Sequence, residues 1–190
     1  SDQREALGTL YEYIEEPSPY ALFLLTGYAG TGKTFLLRTI ADLAQQAGLR
    51  VELMASTGRA AKVLSASTGR PASTIHRTIY RASTQMQEEG GSFQLGRVSG
   101  ATPTLFIVDE ASMISGDTGE MTPFGSGNLL DDLLSYVWSA DEAKLIFVGD
   151  TAQLPPVGTP LSDALNAEVL TSRYGLHVYG MELREVVRQK

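Results

Sequence analysis

Eight consecutive residues, Gly27-Tyr-Ala-Gly-Thr-Gly-Lys-Thr34, carry the strongest chemical signal in this chain. Gly27, Gly30 and Gly32 let the backbone curl so that several N–H groups point at one anion, and Ala29 and Thr31 belong to the same cradle. Lys33 is placed to reach the β- and γ-phosphates of a nucleotide, and the Thr34 hydroxyl to ligate Mg²⁺. The flanks fit that reading. Residues 21–26, Ala-Leu-Phe-Leu-Leu-Thr, form a short apolar run that predicts a buried strand. Phe35, Leu36, Ile40, Leu43 and Ala44 then recur at helical spacing up to Gly48, which predicts a helix with a glycine cap. Strand, glycine loop and helix in this order make a P-loop, and the positive end of the helix favours the same anion. The expected ligand is a nucleoside triphosphate.

A second set of reactive groups follows another apolar run. Phe106-Ile-Val ends in Asp109 and Glu110, two adjacent carboxylates. In P-loop ATPases the first such carboxylate holds the Mg²⁺ shell and a neighbouring second can polarise the attacking water. Alternation along a strand sends neighbours to opposite sides, which allows one residue per task. Further on, the run at 144–148 leads into Gly149-Asp-Thr-Ala-Gln153. A glutamine just beyond a strand of the same sheet faces the phosphate crevice, because ligands sit at the carboxyl ends of such strands. Gln153 is thus expected to orient water or to sense the γ-phosphate.

These residues need a scaffold, and the rest of the chain supplies one. Runs at 50–56, 104–108 and 144–148 read as further strands, and the last two are rich in β-formers and nearly continuous in apolar character, as strands buried on both faces should be. A weaker fifth strand begins at Leu176 and continues toward Leu183. Residues 60–65 and 129–138 show helical patterns, with Leu130, Leu134, Val137 and Trp138 on one stripe that reads as core. Alternation of strand and helix predicts a three-layer α/β domain around a mostly parallel sheet. The Gly-, Thr- and Ser-rich stretch at 121–127 has no period and predicts a loop.

At 190 residues and 43% hydrophobic, the chain can bury a substantial core. It contains no cysteine, which excludes disulfides, thiolate metal sites and a cysteine nucleophile. Its apolar runs are only strand-sized, so no membrane span is expected. With no secretory leader and no initiator methionine, it reads as a domain excised from a cytoplasmic protein. The net charge of −7 argues against nucleic acid as a partner, but the charge is uneven. Between Arg50 and Arg81 stand six basic residues and one acid, Glu52, whereas Asp109 to Glu142 holds eight acids and no Lys or Arg. A local basic region can still contact phosphates, because screening confines fields to about one Debye length, ~8–10 Å. An ordinary solvated basic face would show the same pattern.

Taken in order, GYAGTGKT, ASTGRAAKVLS, STIHR, IVDEASMI, GDTAQLPPVG and LREVVRQ resemble the ordered motifs of superfamily 1B helicases, with the RecD and Dda branch nearest. The resemblance runs from Gln3 to Gln189 and implies a first RecA-like motor domain that binds ATP and Mg²⁺. Gln3, in SDQREAL, resembles the glutamine that reads adenine, and Arg188, in VVRQ, the arginine that reaches the γ-phosphate. Thr57, Gly58, Arg59 and Lys62 match the motif that touches the single-strand backbone, and Thr74 and His76 the segment after it. His76 fits equally well as a loop-fixing residue. Ser56 stands where family members commonly have proline.

The resemblance also implies a β-hairpin over residues 79–103, the pin that splits the duplex in the family. Phe93 is the only aromatic residue between Arg81 and Pro103. It is expected either to stack on a base or to anchor the hairpin on the domain. The chain stops at Lys190, directly after the sixth motif. The second motor domain of such helicases would then lie outside it, along with any nuclease or recombination partner. The implied function is the ATP-binding motor of a 5′-to-3′ DNA helicase moving on single-stranded DNA. A P-loop small-molecule kinase and a nucleotide-gated binding module are the alternatives.

Overall fold

The computed structural model describes residues 2–28, 31–82, 93–114, 124–150 and 162–184. Its centre is a six-stranded parallel sheet of β1 (Ala21–Gly27), β2 (Arg50–Ala55), β3 (Ala72–Thr74), β6 (Thr104–Asp109), β7 (Ala143–Asp150) and β8 (His177–Leu183). The order across the sheet is β3-β2-β6-β7-β1-β8. Both P-loop flanks form as expected. The run after the loop becomes α2 (Lys33–Gln46), which ends on Ala47 and a left-handed Gly48 at φ +89°. Only glycine adopts that φ without penalty, so the helix stops where the sequence places its cap.

Alternation along the central strands splits the core into two layers. Phe23, Leu25, Leu105, Ile107, Ile146 and Val148 pack on one side against Leu36, Leu37 and Ile40 of α2 and Leu64 of α3 (Gly58–Thr68). Ala6, Leu10, Tyr13 and Ile14 of α1 (Asp2–Glu15) join them. Leu22, Leu24, Phe106, Val108, Leu145 and Phe147 face the other way. There they meet α4 (Ile75–Ile79), α5 (Leu129–Val137) and α6 (Ala167–Tyr174). Strands covered on both faces must be apolar along their covered length, and β6 at 105–108 and β7 at 145–148 are. The architecture is the expected three-layer α/β fold.

Elements beyond those expected also contribute. α1 spaces Ala6, Leu10, Tyr13 and Ile14 along one helical face and buries all four. Its Tyr13 hydroxyl donates to the Ala21 carbonyl at 2.6 Å and accepts from the Leu145 amide at 3.1 Å, so the helix is tied to β1 and β7. Of the predicted α5 stripe, Leu130, Leu134 and Val137 are buried, while Trp138 caps the helix and is half-buried. β4 (Tyr80–Ala82) and β5 (Phe93–Leu95) form a separate antiparallel pair with Tyr80 opposite Leu95 and Ala82 opposite Phe93. The two arms expected at 79–103 therefore pair, and residues 83–92 lie outside the described residues. Among the described residues, no helix is long and apolar enough to cross a membrane.

Candidate nucleotide site

The loop after β1 is shaped by contacts that demand small residues. A Cβ on Gly27 would lie 2.8 Å from the Thr31 hydroxyl and 3.0 Å from both Leu183 Cβ and the Leu183 carbonyl oxygen. Any side chain there would push the loop off β8. Gly32 caps α2 in the left-handed region, φ 85° and ψ 23°. Thr31 is buried, and its hydroxyl and amide both donate to the Tyr28 carbonyl, at 2.7 and 3.3 Å. The Lys33 ammonium donates to the carbonyls of Gly27 at 2.8 Å and Tyr28 at 3.0 Å. Burial pushes its pKa below the usual lysine value, and the charges of Asp150 and Asp109 oppose that shift. Thr34 is exposed on the first turn of α2. Gln3 reaches in from α1, its amide 3.4 Å from the Thr31 carbonyl oxygen and 3.5 Å from that of Gly32. The long α1 thus brings the expected adenine-reading residue to the edge of the P-loop.

The carboxylates sit at the same edge because of register. Asp150 pairs with Gly27 across β7 and β1, and Asp109 pairs with Ala55 across β6 and β2. Asp109 lies one residue past the Val108–Phe147 pair, so β7 separates it from the P-loop strand while its charge still acts on Lys33. Burial pushes the Asp109 carboxyl up, and the Glu110 amide, donating to Asp109 Oδ1 at 2.8 Å, and Lys33 pull it down. Glu110 is one of two non-glycine residues with positive φ among the described residues, at φ 53° and ψ 42°. That conformation costs roughly 1–2 kcal/mol for a residue with a Cβ, and its carbonyl is held by the Met113 amide at 3.0 Å and the Ser56 hydroxyl at 2.7 Å.

The donor set suits a nucleotide–Mg²⁺ pair. Among the described residues no group of three or more His, Cys, Asp or Glu could cage a metal. One carboxylate and one hydroxyl, with phosphate oxygens completing the shell, is the way Mg²⁺ is commonly held. Asp150 is a further candidate for this site that the sequence reading passed over. Its signal was the polar residue closing the run Leu-Ile-Phe-Val-Gly, beside Gly27 in register. Ala29, Gly30, Gln153 and Arg188 lie outside the described residues. A cavity of about 520 Å³ opens at the other end of the strands, between Ile14, Tyr20, Leu49, Trp138 and Lys144, and takes no part in this site.

The residues expected to meet a nucleic acid strand lie beside the carboxylates. Thr57 and Thr74 cap α3 and α4, their hydroxyls accepting from the amides of Ala60 and Arg77 at 3.1 and 3.2 Å. Since Thr74 pairs with Ala55 and Ala55 with Asp109, both helix starts stand in one row with the carboxylates. Gly58, Arg59 and Lys62 are exposed on the first turns of α3, and Arg77 is exposed on α4. Arg70 and Arg50 are otherwise engaged, with Asp42 and Gln45 and with Glu52 respectively. The basic region thus divides into paired and outward-facing cations.

Phe93 finds its company far along the chain. Its ring stacks on Phe124, centroids 4.9 Å apart and planes 21° from parallel. His76 meets the same Phe124 edge-on at 4.9 Å and lies 5.5 Å from Tyr80, and burial lowers its pKa. Tyr80 in turn donates to the buried Asp132 at 2.6 Å. This geometry favours the anchoring alternative for the half-buried Phe93, whereas His76 meets the same rings but is itself exposed. Phe93→Ala is therefore expected to lower stability by about 2 kcal/mol, or ~4–8 °C in unfolding temperature, with any unwinding falling in parallel. Unchanged stability with unwinding lost would restore base stacking as the role of Phe93.

Comparison with known proteins gives the chain a family. The model of the AAA domain family matches residues 1–190. The ATP-dependent RecD2 DNA helicase of Deinococcus radiodurans is 39% identical over 150 residues, 78% of this chain and 18% of that protein. The ATP-dependent DNA helicase dda of Enterobacteria phage T4 is 30% identical over 190 residues, 98% of this chain and 38% of that protein. The chain thus spans well under half the length of these relatives. Among solved structures, the Pif1 helicase of Candida albicans superposes with a TM-score of 0.56 at 22% identity, over 100% of this chain and 40% of that one. The Pif1 helicase from Bacteroides, solved with ADP-AlF3 and single-stranded DNA, gives a TM-score of 0.53 at 20% identity, over 98% of this chain and 43% of that one. The chain belongs to the AAA domain family, with a RecA-like fold, and is similar to the RecD2 and dda helicases.

Proposed function

We propose that this chain is the ATP-hydrolysing motor domain of an ATP-dependent 5′-to-3′ DNA helicase and that it is completed by a second RecA-like domain. The observation that carries the reading is one row of residues at the carboxyl edge of the sheet. Lys33, Asp109, Glu110 and Asp150 stand beside the starts of α3 and α4. Chemistry and strand contact then share one rigid edge. ATP is the substrate. Gln3 would read its base and residues 27–34 would cradle its phosphates, with Lys33 on the β- and γ-oxygens. Thr34 and Asp109 would hold Mg²⁺, which would offset charge developing on the phosphates. Glu110 would take a proton from the attacking water, and Gln153 and Arg188 would address the γ-phosphate. A carboxylate beside the metal ligand suits water activation better than transfer to an alcohol, which disfavours the kinase alternative. The exposed Arg59 and Lys62, with Thr57, Gly58 and Thr74, would follow the single-stranded DNA backbone. The direction of travel rests on the likeness to RecD and Dda.

The test is ATPase activity of the full-length protein with and without single-stranded DNA. Strong stimulation supports the helicase, and turnover indifferent to DNA overturns it. Residues 1–190 alone are expected to bind ADP or ATP yet hydrolyse ATP very slowly. Arginine contacts at phosphoryl-transfer sites are worth roughly 10³–10⁵ in rate, and one such residue would come from the second domain. Robust DNA-stimulated turnover by the isolated chain would show that it needs no second domain.

A further inference from the structure

We propose that Ser56 is a positioning residue through which strand contact sets the placement of Glu110, an inference that rests on the proposed helicase function. Ser56 occupies the junction between β2 and α3, directly before the helix cap Thr57. Its hydroxyl turns away from α3 and donates to the Glu110 carbonyl at 2.7 Å, across 54 residues of sequence. Register creates this contact. Ala55 is level with Asp109 in the β2–β6 ladder, so the next residue on each strand emerges beside the other.

The bond lands on a residue that needs holding. Glu110 has a left-handed backbone without being glycine, and such a conformation persists only where its surroundings over-determine it. Three ties do so: its amide to Asp109 Oδ1, and its carbonyl from the Met113 amide and the Ser56 hydroxyl. The first two are local, within three residues. Only the Ser56 tie leaves the loop, and it leads to the segment whose next residues, Thr57 to Arg59, face outward at the start of α3. A shift of that segment on gripping or releasing a strand pulls directly on the backbone that aims the Glu110 carboxylate. Asp109 meets the same segment only through the rigid β6–β2 ladder, level with Ala55, with no side-chain tie from Ser56 among the described residues. The coupling is thus directed at the group proposed to activate water and not at the group proposed to hold the metal.

The experiment compares full-length wild-type, Ser56→Ala and Ser56→Thr proteins. ATP turnover is measured with and without an oligodeoxythymidine strand, together with nucleotide affinity and unfolding temperature. Ser56→Ala is expected to lower DNA-stimulated kcat about fivefold, the equivalent of about 1 kcal/mol. KM for ATP and nucleotide affinity should stay at wild-type values, and the unfolding temperature should fall by no more than ~2–4 °C, the worth of one hydrogen bond in a domain of this size. Ser56→Thr, which keeps the hydroxyl, is expected to restore stimulation. Full stimulation in Ser56→Ala overturns the coupling. So does a loss matched by weaker nucleotide binding, or one that Ser56→Thr fails to restore, which would mark Ser56 as merely structural. Wild-type turnover indifferent to DNA overturns the helicase function and the coupling with it, and is read from the wild-type protein alone.

Discussion

Lys33→Ala is expected to lower ATP turnover of the full-length protein by about 10²–10³-fold or more while leaving the domain folded. The ammonium sits at the mouth of the P-loop, held between the carbonyls of Gly27 and Tyr28 and near the charges of Asp109 and Asp150. A cation so placed meets charge that grows on the phosphates as the bond breaks, and loss of one such donor costs about 10²–10³ in rate elsewhere. Folding depends little on it, because the side chain is only half-buried and alanine is a good helix former at the start of α2. Steady-state turnover and thermal unfolding of the variant provide the check. Turnover at the wild-type rate would remove Lys33 from the site.

Glu110→Gln and Asp109→Asn are expected to separate chemistry from binding. The glutamine variant should bind Mg²⁺ and ATP normally yet turn over about 10²–10⁴-fold more slowly, because an amide cannot accept the proton of water. The ties that shape this loop run through the Glu110 backbone, so the side-chain change leaves them in place. Asp109→Asn keeps an oxygen for the Glu110 amide but loses the negative charge beside Lys33. Its expected defect is weaker Mg²⁺-dependent nucleotide binding. Titration of both variants with a fluorescent ATP analogue, with and without Mg²⁺, distinguishes the two. Loss of ATP binding in Glu110→Gln with full activity in Asp109→Asn would exchange the roles.

The P-loop, its flanking strand and helix and the double carboxylate were legible because each is a local pattern. The glycines, the lysine and the threonine lie within eight residues, and a strand buried on both faces must be apolar throughout. The same holds for the cap at Gly48, where one residue accepts a backbone angle others resist. α1 was legible but unread: Ala6, Leu10, Tyr13 and Ile14 have helical spacing, broken up by Gly8 and two exposed residues, Glu12 and Tyr11. α6 offers a single buried residue, Leu170, too little for a periodic signal.

What only the tertiary structure decided is which distant residues meet. Strand order places β7 between β1 and β6, which brings Asp150 level with Gly27 and within reach of Lys33. Packing of α1 on α2 carries Gln3 to the carbonyls of Thr31 and Gly32. Phe93 looked isolated among Ser, Gln and Gly, yet Phe124 supplies its stacking partner from 31 residues away. Ser56, one small polar residue in a motif, acquires a specific partner in Glu110. Local patterns specify which elements form, because propensity and periodicity act within a few residues. Partnerships across the sheet are set by strand order and register, which depend on the packing of the whole core at once.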